Sequence, residues 1–219
     1  MRKEKNNNFY IILIKPQLEE NVGAVARAML NFEFQNLRIV KDKWKPNKKS
    51  LSMSAGADMI LRNAQTYKSL EEATKDLHYL YATTNRKRSL NLKVVNLKKG
   101  INEIVQIKNK KIGIVFGPER SGINNDDISL CDKIINIPLN IKFNSLNLSQ
   151  SVLLIVYELF NNLKNRKDTK ISDQKALKSK LFNFFHILEN SLENNSFFRV
   201  KEKKKLMVRN IRTIFEKAN

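Results

Sequence analysis

Residues 112–122, Ile-Gly-Ile-Val-Phe-Gly-Pro-Glu-Arg-Ser-Gly, join a short apolar run to a turn flanked by two glycines. The apolar run Ile112–Phe116 is typical of a buried β-strand. The turn that follows it carries both signs of charge, in Glu119 and Arg120, and precedes a helical pattern. In parallel sheets, ligands bind just beyond the carboxyl ends of the strands. The stretch therefore predicts an α/β fold with a binding loop after this strand.

The same pattern extends on both sides of this strand. Further apolar runs predict strands at Phe9–Ile14, Leu37–Val40, Leu77–Ala82 and Lys133–Ile137. Apolar residues at helical spacing predict helices at Asn21–Phe32, Ser50–Arg62, Leu70–Lys75, Ile101–Ile107 and Asn147–Leu163. Strands that alternate with helices favour a mainly parallel sheet flanked by helices. The loops after the strands should then meet at one edge: Lys15–Glu20, Thr83–Leu90, Gly117–Asn125 and Pro138–Leu146.

The chain divides by composition into three parts. We predict a main domain over residues 1–163, a polar linker over residues 164–174 and a basic helical extension over residues 175–219. The extension contains two amphipathic helical patterns, which begin near Leu177 and Leu206. Such helices cannot bury their apolar stripes alone, so they should pack on each other, on the main domain or on a second chain.

The charge of the chain indicates a polyanionic partner. Its 219 residues include 41 Lys and Arg against 21 Asp and Glu, a formal net charge of +20. Residues 161–219 hold fifteen of the basic and six of the acidic residues, so the extension is more basic than the rest. Nucleic acid is the expected partner, with an anionic membrane surface as the alternative that a basic amphipathic helix would suit. The run Phe9–Ile14 is too short for a signal sequence or a membrane span, so we expect a cytoplasmic protein.

Metal and thiol chemistry find little support in the sequence. His78 and His186 are far apart and have no ligand partners at metal-binding spacing, so we predict no metal site and expect both to be core histidines. Cys131 is the single cysteine, which excludes an internal disulfide; we expect a buried structural thiol.

Two more stretches contain small and polar residues next to helices. Residues 21–28 are Asn-Val-Gly-Ala-Val-Ala-Arg-Ala, in which Asn21 can cap the following helix and Arg27 is either a solvated residue or an anion contact. Residues 144–150 are Asn-Ser-Leu-Asn-Leu-Ser-Gln, which follow Ile137-Pro138 and open the long helix, with Ser145 as its expected N-cap.

Together and in this order, the three stretches resemble the motifs of the SPOUT class of RNA methyltransferases, in particular the TrmH-like 2′-O-methyltransferases. Pro16-Gln17, Ala55-Gly-Ala57, Ala82-Thr-Thr-Asn-Arg86 and the region Phe184–Phe198 are similar to the TrmJ branch of that class. The resemblance implies a deep trefoil knot at the carboxyl edge of the sheet, formed by residues 83–90, 117–122 and 138–146.

The resemblance also implies an activity and its site. The branch methylates the ribose 2′-hydroxyl of cytidine or uridine at the first anticodon-loop nucleotide of tRNA, position 32, as a homodimer that uses S-adenosylmethionine. The positions that match the family's cofactor contacts are Thr83, Thr84, Asn85, Gly117, Ile137, Asn144, Ser145 and Leu146. The matching catalytic positions are Arg27, Asn21, Glu119, Ser145 and Asn147, and the expected RNA contacts are Arg27, Arg86, Lys203, Lys204 and Lys205.

Physical chemistry restricts the role of Arg27. A guanidinium group has a pKa above about 12 and is a poor base, so we expect Arg27 to clamp a phosphate and stabilise alkoxide charge while a phosphate oxygen accepts the proton. Glu119 is expected to orient Arg27 or to contact the ribose, and Ser145 and Asn147 to position the nucleotide. In the dimer, Arg27 can come from the chain opposite the cofactor. Many relatives have glycine where this chain has Glu20, a carboxylate that must point away from RNA or pair with Lys15.

Three alternatives stay open at this level. The chain could modify another RNA, such as ribosomal RNA, or be a catalytically inactive RNA-binding member of the class. A nucleotide-dependent oxidoreductase on a Rossmann sheet is disfavoured because the chain has no G-x-G-x-x-G fingerprint.

Overall fold

A seven-stranded parallel sheet organises the part of the chain that the computed structural model describes, residues 8–86, 92–165 and 175–217. The strands are β1 (Phe9–Ile14), β2 (Asn36–Val40), β3 (Gln65–Tyr67), β4 (Tyr79–Thr83), β5 (Lys93–Asn96), β6 (Ile112–Phe116) and β7 (Lys133–Asn136). Their order is β3-β2-β1-β6-β4-β7-β5, and every pair is parallel. The predicted parallel α/β architecture is confirmed. Residues 87–90 of the predicted loop and residues 166–174 of the predicted linker lie outside the described residues.

The central strand β6 aligns the ends of its neighbours. Phe116, its last residue, is in register with Leu13 of β1 and with Thr83 of β4. The loops that follow these three strands therefore begin side by side at one edge of the sheet. All five residues of β6 are buried, because helices cover both faces of the sheet.

Helices cover the two faces of the sheet and bury two apolar clusters. The helices are α1 (Glu19–Asn31), α2 (Lys48–Ser54), α3 (Asp58–Arg62), α4 (Leu70–Thr74), α5 (Leu97–Gln106), α6 (Asn125–Ile128), α7 (Leu148–Lys164), α8 (Lys178–Asn194) and α9 (Lys201–Lys217). Side chains of α1, α3, α5 and α7 pack on one face. Side chains of α4, α6 and α8 pack on the other, with Cys131 fully buried among them, as expected. Burial raises the pKa of the Cys131 thiol, which keeps it protonated.

Several elements differ from the sequence-based predictions. The edge strands β3 and β5 were missed because they are short and polar, as edge strands often are. The helix predicted over Ser50–Arg62 is broken, because Ala55 and Gly56 adopt left-handed backbone conformations with φ of 47° and 94° and end α2. The predicted core position of His186 is also wrong: its ring is exposed and lies 2.9 Å from a carboxylate oxygen of Glu71.

The two C-terminal helices pack on each other and on the sheet. Phe182 and Phe185 of α8 are buried in the second apolar cluster, and the rings of Phe184 and Phe215 join α8 to α9 at a centroid distance of 4.7 Å. No helix within the described residues is both long and apolar enough to cross a membrane.

A buried group of charges fastens α8 and α9 to the sheet. The Lys178 ammonium is 1% exposed, donates to Glu216 of α9 at 2.7 Å and lies 2.9 Å from Asp132, next to β7. Lys175 lies on the other oxygen of Asp132 at 2.5 Å. Because isolated buried charges are very costly, these groups hold their elements in one arrangement.

The two carboxyl groups of this cluster have opposite pKa shifts. Burial by itself raises the pKa of Asp132, but Lys178 and Lys175 outweigh it and hold that pKa at about 2. Burial and the neighbouring charge of Asp132 raise the pKa of Glu216 to about 8, despite its contact with Lys178. Glu216 Oε2 has no hydrogen-bond partner within the described residues, so ionisation leaves a buried oxygen poorly solvated.

We predict that Gly23→Ala strongly destabilises the fold. A Cβ at Gly23 of α1 would lie 2.1 Å from the backbone oxygen of Ser50 in α2, which cannot move aside as a side chain can. The free energy of unfolding should fall by about 1–3 kcal/mol, measured by denaturant titration. The matched control is Gly100→Ala in α5, where the nearest atoms are ends of the Ile135 and Val95 side chains at 3.0 and 3.1 Å. Equal losses in the two variants would contradict the prediction.

We predict that the protein becomes less stable as the pH rises from 6 to 8. The folded-state pKa of Glu216, about 8, lies above its unfolded value of about 4.5, so the folded state holds this proton more tightly across that window. Its stabilising contribution is complete below the unfolded pKa and disappears as the pH passes the folded pKa. Thermal unfolding at several pH values should show this slope in the native chain, and Glu216→Gln should flatten it. If stability depends on pH equally in Glu216→Gln and in the native chain, the pH dependence comes from another group.

Candidate active site

The loops after β4, β6 and β7 enclose one open cleft at the carboxyl edge of the sheet. Its cavity volume is about 200 Å³. All eight residues predicted to contact the cofactor line it: Thr83, Thr84, Asn85, Gly117, Ile137, Asn144, Ser145 and Leu146. Glu119 and Arg86 lie in the same lining. Positions up to 63 residues apart in the chain are therefore brought together, as the parallel topology predicts.

Hydrogen bonds between the loops fix the shape of the cleft. The Thr83 hydroxyl donates to the backbone oxygen of Val115 at 2.8 Å, which joins the ends of β4 and β6. The Asn136 side chain donates to Asn85 at 3.0 Å, which joins the ends of β7 and β4. The Arg86 guanidinium donates to the backbone oxygen of Arg120 at 2.6 Å and bridges two of the loops.

Gly117 permits the tight turn after β6. A Cβ at this position would lie 2.2 Å from the backbone nitrogen of Ile123 and 2.4 Å from the carbonyl carbon of Gly122. Both are backbone atoms of the returning loop, so no larger residue fits. This close approach explains why the turn after β6 begins with a glycine.

Glu119 binds the start of α1. Its carboxylate accepts hydrogen bonds from the backbone N–H groups of Gln17 at 2.9 Å and Leu18 at 3.2 Å, and from the Asn21 side chain at 2.9 Å. The first N–H groups of a helix have no partners within the helix, and the helix dipole favours a negative charge there. Glu119 therefore supplies the cap of α1, whose N-cap residue Leu18 provides no side-chain cap.

The ionisation of Glu119 follows from these contacts. Burial by itself raises the pKa of Glu119, but the hydrogen bonds from Asn21 and from backbone N–H groups outweigh it and hold the pKa below its usual value. The group is therefore an anion at neutral pH. It is a poor proton acceptor and a good anchor.

Asn21 and Asn147 extend this contact to α7. The Oδ1 atom of Asn21 accepts from the Asn147 side chain at 3.0 Å. Asn147 is the N-cap of α7, and its own oxygen accepts from the backbone of Ser149 at 2.8 Å. The capping roles predicted for Asn21 and Ser145 are therefore wrong: Asn21 lies inside α1, and Ser145 precedes the cap, in the lining of the cleft.

The structure does not bring Arg27 into this cleft. Arg27 is exposed on α1 and makes no hydrogen bond or ion pair with any described residue. Within one chain Glu119 contacts the start of α1 and Asn21, and not Arg27. The role expected for Glu119 towards Arg27 or the ribose stays a prediction. Glu20 points away from the cleft and pairs with Lys49 at 3.0 Å, and not with Lys15.

The predicted RNA contacts Lys203, Lys204 and Lys205 lie on α9, apart from the cleft lining. Lys204 pairs with Glu193 at 2.5 Å, and Lys205 pairs with Asp126 at 2.9 Å. Asp126 follows the loop of residues 117–122, so Lys205 approaches the active-site edge of the sheet. The RNA-binding role of these lysines stays a prediction.

Residues that were not predicted complete the cleft. Phe116, Leu148 and Ser151 line it, and the Gln17 side chain accepts the backbone N–H of Arg120 at 3.0 Å. Phe116 and Leu148 belong to predicted elements, and only their positions at element ends could have indicated their role. The predicted meeting of the loops Lys15–Glu20 and Gly117–Asn125 indicated where Gln17 would lie, but not its hydrogen bond to Arg120.

The chemistry of the lining fits S-adenosylmethionine. Amides and hydroxyls at Thr84, Asn144 and Ser145 offer neutral hydrogen-bonding groups, and apolar residues such as Ile137 and Leu146 offer faces for a purine ring. The Asn144 and Ser145 side chains have no hydrogen-bond partner among the described residues. Within those residues, no cluster of three His, Cys, Asp or Glu side chains could hold a metal ion.

Comparisons with known proteins agree with the resemblance to the SPOUT class of RNA methyltransferases. The model of the SpoU rRNA Methylase family matches residues 8–157. The tRNA (cytidine-2′-O-)-methyltransferase TrmJ of Methanocaldococcus jannaschii is 37% identical over 171 residues, 77% of this chain and 74% of that protein. The tRNA (cytidine/uridine-2′-O-)-methyltransferase TrmJ of Photorhabdus laumondii is 31% identical over 218 residues, 96% of this chain and 89% of that protein.

A solved structure supports this relationship. The crystal structure of TrmJ from Z. mobilis ZM4 superposes with a TM-score of 0.85 at 36% identity, over 94% of this chain and 89% of that one. The superposition covers more residues than the predicted main domain contains, so it includes C-terminal residues as well as the sheet. The chain belongs to the SpoU methylase family of SPOUT-class RNA 2′-O-methyltransferases, and within it to the TrmJ branch.

Proposed function

We propose that the chain transfers a methyl group from S-adenosylmethionine to the ribose 2′-hydroxyl of a cytidine or uridine in tRNA, at the first anticodon-loop nucleotide, position 32. The observation that carries the proposal is the convergence of all eight expected cofactor positions on one cleft. The TrmJ relatives, whose names specify tRNA 2′-O-methylation, support the substrate class. The net charge of +20 suits a tRNA partner, and we propose that the enzyme acts in the cytoplasm, where tRNA is available.

The residues of the cleft would hold the cofactor and position the ribose. When bound, S-adenosylmethionine supplies an electrophilic methyl group on a sulfonium. Thr84, Asn144 and Ser145 offer the hydrogen bonds, and the apolar lining excludes water from the cofactor. Asn147 fixes the start of α7, and Asn21 links it to Glu119, so the loop that carries Ser145 is held against the start of α1.

The proton of the ribose 2′-hydroxyl must go to a group other than the residues that line the cleft of the same chain. Glu119 is engaged with the start of α1, and its low pKa makes it unsuitable as a base. Arg27 keeps its charge and can stabilise a forming alkoxide or hold an adjacent phosphate, whose oxygen accepts the proton. Because Arg27 is exposed and without a partner among the described residues, we propose that it reaches the cleft of a second subunit.

Exposed apolar side chains on α7 and just before α1 support a homodimer. Leu153, Leu154 and Tyr157 of α7 are 40%, 36% and 48% exposed. Helix α7 packs against α1, where Leu18 is 54% exposed. Apolar side chains gathered on adjacent helices are typical of a surface that another chain covers. A dimer through α1 and α7 would place the Arg27 of one subunit near the cleft of the other.

We further propose the trefoil knot and the domain division of the class. The sheet order places β4 between β6 and β7, so the loops after these three strands lie together, which supports knotting there. The knotted main domain would comprise residues 1–163, followed by a linker over 164–174 and the extension over 175–219.

Nucleoside analysis tests the proposed reaction. Purified protein, isotope-labelled S-adenosylmethionine and unmodified tRNA transcripts should give 2′-O-methylcytidine or 2′-O-methyluridine, located at position 32 by mass spectrometry of nuclease fragments. Arg27→Ala should lower the rate at least about a hundredfold, because one charged group that stabilises the transition state typically supplies that much. Cofactor affinity, measured by calorimetry, should stay within about twofold, since we propose that Arg27 acts on the RNA and it does not line the cleft of its own chain.

The possible outcomes separate the alternatives. Label in ribosomal RNA or at another tRNA position would replace the proposed target and retain the reaction. Cofactor binding without label in any RNA would identify an inactive RNA-binding member of the family. A fully active Arg27→Ala variant would remove Arg27 from the mechanism. Arg62→Ala, at an exposed position of α3, is the matched control and should leave the rate unchanged.

We predict that Glu119→Gln impairs the reaction while the fold remains intact. The amide replaces one acceptor oxygen by a donor that faces the N–H groups of Gln17 and Leu18, so the start of α1 should shift. Misplacement of about 1 Å can cost a hundredfold in rate, and we expect a loss of about that size in kcat. Glu20→Gln in the first turn of α1 is the control, since Glu20 pairs with Lys49 on the surface. If Glu119→Gln and Glu20→Gln lower kcat equally, Glu119 acts only through its charge and does not position the start of α1.

A further inference from the structure

A second cleft lies on the other side of the loop of residues 117–122. It has a volume of about 390 Å³ and shares Pro118 and Gly122 with the cofactor cleft, so only this loop separates the two. The rest of its lining comprises Ile14, Lys15, Ser121, Asn124, Asn125, Asp127 and Arg209. None of the predicted site residues lies in this lining.

Cations from two distant parts of the chain meet at this second cleft. Lys15 follows β1, is exposed and makes no side-chain hydrogen bond or ion pair with a described residue. Its backbone has φ of 43°, a left-handed conformation that is uncommon for a lysine. Arg209 comes from α9, and its neighbour one turn earlier, Lys205, is 68% exposed on the side chain.

Asp126 holds the α9 cations at the edge of this cleft. Its two oxygens lie 2.7 Å from Arg209 Nε and 2.9 Å from Lys205 Nζ. Asp127 is the other carboxylate, and it accepts a hydrogen bond from Asn124 at 2.6 Å. The three cations outnumber these two carboxylates, so the second cleft carries net positive charge.

The position of α9 is fixed at its far end as well. Glu216, seven residues beyond Arg209, belongs to the buried charge cluster with Lys178 and Asp132. Helix α9 is thus anchored both near the amino end of β7 and beside the active-site loop. Cations on a helix held at two points can serve as a preformed contact for a charged ligand.

We propose that the second cleft binds a backbone phosphate of the RNA next to the target nucleotide, through Lys15, Arg209 and Lys205. The inference rests on the proposed function, in which one ribose of the RNA lies in the cofactor cleft. An RNA strand held in this way would pass over the loop of residues 117–122. Phosphodiester groups are the anions that such a strand presents, and Lys and Arg are their usual partners. The C-terminal helix would then form part of the active site of its own chain.

Binding of an unmodified tRNA transcript, followed by fluorescence anisotropy at several salt concentrations, tests the inference. Lys15→Asn should weaken binding about five- to tenfold and lower the salt dependence by about one released counterion, and asparagine tolerates the left-handed backbone. Cofactor affinity should not change. Lys75→Gln is the control, because it removes one positive charge near the amino end of β4. Equal weakening in both variants, or none in Lys15→Asn, would overturn the inference.

Asp126→Asn separates RNA contact from a purely structural role. If Arg209 and Lys205 bind phosphate, removing the competing carboxylate should tighten tRNA binding by about two- to fivefold. If they only fasten α9 to the sheet, the same change should loosen α9, lower the unfolding temperature and weaken tRNA binding, which would refute the proposal. Inorganic phosphate serves as a further probe: competition with tRNA in the native chain, lost in Lys15→Asn, supports a phosphate site.

The proposed function and this inference can fail separately. Native protein that methylates tRNA, with Lys15→Asn equal to it in affinity and rate, would refute only the second cleft. Native protein that transfers no label to any RNA would refute the proposed function, whatever the two variants bind.

Discussion

The carboxylate of Glu119 at the start of α1 is the contact on which the arrangement of the active site depends. Glu119 lies about a hundred residues from the groups that it binds, Gln17, Leu18 and Asn21. Through Asn21 the contact continues to Asn147 and the start of α7. One anion therefore ties the loop after β6 to two helices. Because the helix dipole and the unpaired N–H groups of α1 favour an anion there, the charge is stabilised where it is needed.

The C-terminal helices are held by a buried cation, whereas the start of α1 is held by an anion. Lys178 is almost wholly buried, and its partners Asp132 and Glu216 come from the sheet and from α9. Removing Lys178 or Asp132 would leave the other charge buried without compensation, so the cluster specifies a single packing of α8 and α9. The basic residues of α9 consequently have fixed positions relative to the cofactor cleft. The extension, which composition describes only as a basic tail, is thus placed against the sheet by buried polar contacts.

The sequence allowed the prediction of what depends on local pattern. The central strands and the long helix α7 were predicted nearly to the residue because their apolar runs are long. The cofactor cleft followed from motif resemblance and parallel topology. The cap of α1 could not be predicted, because its acceptor, Glu119, is distant in the chain and the local candidate, Asn21, is used for another contact. The buried role of Lys178 was equally hidden, because a lysine in a polar stretch is normally exposed.

The distribution of charge resolves a conflict between the two substrates. The methyl donor carries a sulfonium cation, which a strongly basic cleft would repel, whereas the RNA is a polyanion that requires positive charge. Among the described residues that line the cofactor cleft, the one cation is Arg86, whose guanidinium is engaged with a backbone oxygen, and the one anion is Glu119. Lys15, Lys205 and Arg209 lie beyond the loop of residues 117–122, and Arg27 lies on the outer face of α1. Lys15, Lys205 and Arg209 can therefore attract RNA without opposing the cofactor, because this loop lies between them and the cofactor cleft.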